Sequence, residues 1–197
     1  MVTAIPREEV ARYLSRAAAA GRPVVAVAED SAASAVAVAA SAEAAQARAG
    51  DQMRTREFLS KLDHDRITAA IRKAESKSSG EIRVLIQLGK LKSDPLVAAQ
   101  RKFHRLRMHK TAERNAVLIF VAPRAHKMAV VGDVVIHEKC GVEFWQRVVE
   151  RMRTHFQNEN FTDALVETVD EIGNVLSSYF PRTQRDANEL PDNVIES

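Results

Sequence analysis

Residues 114–133 read RNAVLIFVAPRAHKMAVVGD. Ala116 to Ala122 is an unbroken apolar run, rich in β-branched and aromatic side chains and too short for a helix. A strand buried on both faces has this appearance. Pro123 ends the run, and Arg124, Ala125 and His126 turn the chain into a second apolar stretch, Met128 to Val131, closed by Gly132-Asp133. Two strands joined by so few residues pair antiparallel as a hairpin. A strand covered on both faces needs helices above and below it.

The flanking sequence supplies those helices. Asp63 is placed to cap a helix whose Ile67, Ala70, Ile71 and Ala74 share one face. Ser78-Ser79-Gly80 stops it, with Gly80 expected in the left-handed conformation. Ile82, Val84, Ile86 and Leu88 then alternate as a strand, and Asp94-Pro95 opens a helix with the stripe Leu96, Ala99, Phe103 and Leu106. Strand, helix and buried strand make a β-α-β unit with its strands parallel. Downstream, Val134 to His137 reads as a brief extra strand, and a helix is expected to begin near Cys140-Gly141. Its apolar face is Trp145, Val148, Val149, Met152 and Phe156. A last helix from Phe161 or Thr162 buries Leu165, Val169, Ile172, Leu176 and Phe180 and stops at Pro181. The expected fold is a three-layer α/β/α sandwich with a mixed sheet of about four strands.

Residues 1–52 differ from the rest of the chain, being about two-fifths alanine with few large side chains. They are expected to be a mobile extension, with one short strand candidate at Val24 to Ala28 and a native start at Met53. The α/β domain is expected over 53–181 and a polar tail over 182–197. In all, 29 basic against 26 acidic side chains leave a net charge of +3. That balance argues against a dedicated nucleic-acid domain, which clusters its charge and interleaves aromatics. A single cysteine, Cys140, excludes an internal disulfide and a cysteine-rich zinc site. No stretch approaches the roughly 20 apolar residues that span a bilayer, and the protein is expected in the cytoplasm.

Three groups of residues carry candidate chemistry. The helix over 101–114 bears Arg101, Lys102 and Arg105, an anion-binding surface or simply a solvated exterior whose cations suit the helix dipole. The solvated exterior is the commoner meaning. His137 and Cys140 are half a metal site at most, and Cys140 is expected to be buried and inert. Asp63, Glu81, Asn115 and Asp133 stand at element boundaries, where such residues usually cap or turn the chain. If the hairpin returns Asp133 beside Asn115, Glu81, Asn115 and Asp133 would also suit a hard cation such as Ca²⁺ or Mg²⁺, with His137 as a candidate acid or base.

Together, Ser79-Gly80-Glu81-Ile82-Arg83-Val84, Arg114 to Ala122, Val131-Gly132-Asp133, Phe144-Trp145, Asn160-Phe161 and the closing Asn188-Glu189-Leu190-Pro191 resemble the TPM-domain family, the thylakoid-lumen-phosphatase or photosystem-II-repair type of domain. The resemblance runs from Phe58 to about Leu190. It implies a Rossmann-like sandwich, and either phosphatase activity, a bound divalent cation, or an accessory role beside a membrane complex. Glu81, Asn115 and Asp133 are the positions that match the family's recurring polar residues. This chain departs from the pattern at Ala116, where an Asn-Gly pair is usual, and at Val134-Val135, where a glycine is expected. The expected function is accordingly an accessory module that binds a protein partner or a divalent cation, with metal-assisted phosphomonoester hydrolysis and anion or RNA binding as its rivals.

Overall fold

A computed structural model describes residues 24–27, 35–41, 55–183 and 190–197. Its strands are β1 (Val24–Val27), β2 (Ala35–Ser41), β3 (Ile82–Ile86), β4 (Val117–Ala122), β5 (Lys127–Asp133) and β6 (Ile195–Glu196). Its helices are α1 (Thr55–Ser60), α2 (His64–Glu75), α3 (Pro95–Arg105), α4 (Val134–Gln157) and α5 (Phe161–Tyr179). The sheet order is β1-β2-β5-β4-β3-β6. Four of these strands lie after residue 53, and β1 and β2 extend the sheet beyond β5.

β4 is buried along its whole length, with every residue from Val117 to Ala122 at most 1% exposed. It pairs parallel with β3 and antiparallel with β5. The reversal between β4 and β5 is a 3-10 turn at Pro123–Ala125, closed by His126 in the left-handed region at φ 50°. Side chains of opposite parity feed two cores. Val117, Ile119 and Val121 pack with α2, α4 and α5, whereas Leu118 and Phe120 pack beneath Leu96, Ala99 and Phe103 of α3. The three expected layers are present.

The helix starts follow local chemistry. Asp63 Oδ1 accepts from Arg66 N at 3.0 Å, and Asp94 Oδ1 accepts from Leu96 N at 2.9 Å with Pro95 in the first turn. The segment from Val134 to His137 is the first turn of α4 rather than a strand. Asp133 caps it by accepting from Val134 N at 2.7 Å, and that local bond outweighs the β preference of two valines and an isoleucine. Gly141, at φ 70°, kinks α4 near the expected helix start.

Gly80 is not left-handed; among the described residues Gly141 is the glycine with positive φ. Gly80 is needed for space, since a Cβ there would stand 2.5 Å from Leu176 Cδ2. Val24–Val27 is a strand, as the short run allows, and Ala35–Ser41 is a further strand that its alanine-rich composition does not announce. The rest of what is expected of residues 1–52, including the start at Met53, lies outside the described residues. No helix among the described residues is long and apolar enough to cross a membrane.

Candidate functional site at the sheet end

β3 and β4 begin, and β5 ends, on the same side of the sheet. Val117 N donates to Glu81 O at 2.8 Å, and Asp133 N donates to Ala116 O at 2.9 Å. Backbone pairing therefore places Glu81, Asn115 and Asp133 on three neighbouring strand ends, as the hairpin requires. Their side chains then part company.

Asp133 is fully buried. Arg114, in the left-handed region at φ 52°, reaches it as a fork: Nε donates to Oδ2 at 2.7 Å and Nη2 donates to Oδ1 at 2.8 Å. The bidentate bond raises the guanidinium's pKa, so Arg114 stays charged. With Val134 N also on Oδ1, both carboxylate oxygens are engaged.

Asn115 is turned the other way. Its Nδ2 donates to Ser79 Oγ at 3.1 Å and to Glu113 Oε2 at 3.3 Å, while the Ser79 hydroxyl donates to the same Glu113 carboxylate. Asn115 Oδ1 is buried and has no hydrogen-bond partner among the described residues. The charge of Glu81 acts on Arg83 and Glu75, both buried.

His137 lies one turn into α4, half-buried, its pKa lowered by burial against a smaller opposing pull from Glu138. Its Nδ1 has no hydrogen-bond partner among the described residues. A calcium or magnesium ion at Glu81, Asn115 and Asp133 would have to displace Arg114 from the Asp133 carboxylate, and with that clamp closed the three side chains do not fit a cation. No group of three His, Cys, Asp or Glu side chains among the described residues gathers as such an ion requires.

On the basic helix, Arg101 and Arg105 are exposed, whereas Lys102 Nζ donates to Ser197 Oγ at 2.6 Å. Lys102's pKa is lowered by burial and by Arg105. The His104 and His109 rings lie 4.9 Å apart, and burial, followed by His104, Lys110 and Arg114, lowers the pKa of His109. Cys140 Sγ donates to Ile136 O at 3.0 Å, and burial pushes the thiol up to about 12. It is not a thiolate at neutral pH.

Arg114, Ser79 and Glu113 belong to this sheet end without being candidates on sequence grounds. A signal exists for Arg114 alone: an arginine just before a buried strand, and an aspartate closing the strand that pairs with it.

A model of the TPM domain matches residues 53–175. The chain belongs to the TPM-domain family. No curated protein matches it. Among solved structures, this TPM domain is similar to the NMR structure of the BA42 protein from the psychrophilic bacterium Bizionia argentinensis. The two are 32% identical with a TM-score of 0.63, over 69% of this chain and 95% of that one. The family match starts where the alanine-rich stretch stops, so β1 and β2 precede the matched TPM domain.

Proposed function

We propose that this TPM domain is a cytoplasmic accessory module that works by binding a protein partner rather than by turnover. The observation that supports this reading is the state of Asp133. The most buried carboxylate at the sheet end has both oxygens committed to Arg114 and to the first amide of α4. A carboxylate held in that way is poorly placed to ligate a metal or accept a proton, and it serves to tie strand, loop and helix together. The charge of Glu81 acts on Arg83 and Glu75.

Metal-assisted phosphatase chemistry, which family resemblance alone implies, needs those groups free. The test is hydrolysis of a generic phosphomonoester with and without Mg²⁺ or Ca²⁺. The expected result is no turnover above that of His137→Ala and Asp133→Asn. Turnover by the wild-type chain that disappears in a folded Asp133→Asn variant would overturn the binding reading.

A further inference from the structure

The edge of the sheet formed by β3 and β6 carries a second feature. β3 has all five residues buried, including Leu85 and Ile86, yet its outer neighbour is β6, a strand of two residues. An apolar strand left open at a sheet edge is a template for pairing with another chain. Here the closing segment 190–197 covers it. Ile195 stands beside Leu85 and Glu196 beside Ile86 in parallel register, Ser197 N donates to Ile86 O at 3.0 Å, and Leu88 N donates to Ser197 O at 2.7 Å.

The segment reads LPDNVIES and is seated by alternate contacts. Leu190 and Ile195 pack on the α3 side of the sheet and Val194 on the α2/α5 side. Asp192 lies 3.3 Å from Arg72 and also meets the carboxyl of Glu75, and Glu196 lies 3.6 Å from His64. Asp192 also acts on buried Arg83, and Ser197 meets Lys102.

The hold is weak where it is open to view. The two ladder residues, Ile195 and Glu196, are not buried, Arg72 is 70% exposed against a 17% exposed Asp192, and the His64 pair is more than a third exposed on both sides. Ion pairs so exposed contribute little. The buried β3 edge is thus closed by a segment whose ladder residues and ion pairs are in part open to solvent.

We propose that the β3 edge is a β-augmentation site that the chain fills with its own segment 190–197, and that a partner presenting an extended acidic-apolar strand displaces that segment. Backbone pairing with Ile86 and Leu88 supplies affinity. The two apolar seats and the Arg72 and His64 rim select alternating aliphatic and acidic side chains. This deepens the binding reading by stating the partner's chemistry, and its test is independent of any hydrolysis assay.

The probe is a fluorophore-labelled peptide of sequence LPDNVIES, titrated onto the full chain and onto the full chain carrying Val194→Lys and Ile195→Lys. The double variant empties the edge without touching it. Expected is binding at least about 10-fold tighter to the variant than to wild type, lost when the peptide's two acids are exchanged for lysine. Amide exchange at Leu88 should quicken in the variant and slow again with peptide. If the double variant does not fold, Asp192→Lys replaces it with the same expected order.

Three results would overturn the proposal. One is no binding to a folded variant, and another is equal binding to variant and wild type. The third is a concentration-dependent dimer of the wild-type chain that dissociates in the variant, which would assign the edge to a second copy. A blank phosphatase assay beside a failed titration leaves the accessory reading standing and removes only this one.

Discussion

The guanidinium of Arg114 grips the carboxylate of Asp133 through two parallel bonds of 2.7 and 2.8 Å, and the aspartate is fully buried while the arginine is 32% exposed. The pair links the loop before β4 to the end of β5 and, through the same carboxylate, to the start of α4. Removing one partner strands a buried charge, which costs more than the pair itself contributes.

Arg114→Ala is therefore expected to destabilise the fold by roughly 2–4 kcal/mol, with Asp133 left to Val134 N alone. Asp133→Asn, which keeps an acceptor for the cap, should cost less. The double variant Arg114→Ala/Asp133→Ala should fall well short of the sum of its singles. Urea unfolding of these proteins measures this, and strict additivity would show that the pair does not act as a unit.

Gly132 lies against the indole of Trp145, where an added Cβ would meet Cζ2 at 2.7 Å. Gly132→Ala should cost about 1–3 kcal/mol by overpacking and shift the fluorescence of the single tryptophan. Trp145→Leu in the same chain should remove most of the penalty of the added methyl. A Gly132→Ala variant as stable as wild type would mean that the ring moves aside freely.

Glu75 Oε1 accepts from Ile82 N at 2.8 Å, yet its carboxyl is pushed up to about 8. Burial is the main cause, with Glu81 and Asp192 adding to it and the Ile82 bond opposing it. Between its ordinary 4.5 and 8 the folded protein holds this proton more tightly than the unfolded chain. Stability accordingly falls as pH rises through that window and, on this group's account, is level above it. Glu75→Gln keeps the acceptor and deletes the charge. It should match wild type near pH 4.5 and exceed it by roughly 1–3 kcal/mol near pH 8.5. A difference that does not vary with pH would refute the assignment.

Cys140 should resist alkylation. With its thiol pushed up to about 12 and hydrogen-bonded to Ile136 O, the native chain at pH 8 carries almost no thiolate. Iodoacetamide modification, measured by intact mass, should be at least about 10-fold faster in denaturant than in buffer. Comparable rates would place the sulfur in a different environment.

The apolar run Ala116 to Ala122 could only be a doubly covered strand, and Pro123 to His126 could only reverse it. From these came the parallel pairing with β3, the hairpin with β5 and the two helical layers. The α2, α4 and α5 faces are legible for the same reason: burial imposes a period on side chains, and a period is written along the chain. Val134 to His137 is misleading because four residues hold too little period to tell strand from helix, and the Asp133 cap decides it. Segment 190–197 looks merely polar, since its Leu190, Val194 and Ile195 find their partners on β3, α3 and α5, far away in sequence.

Sequence alone thus determined the layers and the strand order around β4, and made a meeting of Asn115 and Asp133 at one sheet end conditional on the hairpin, because hydrophobic pattern and hairpin register are local quantities. Only the tertiary structure decided what those side chains do there. Whether a carboxylate is a free ligand or the far half of an arginine clamp depends on which neighbour reaches it first, and Arg114 reaches Asp133 across 19 residues of chain that the fold brings together.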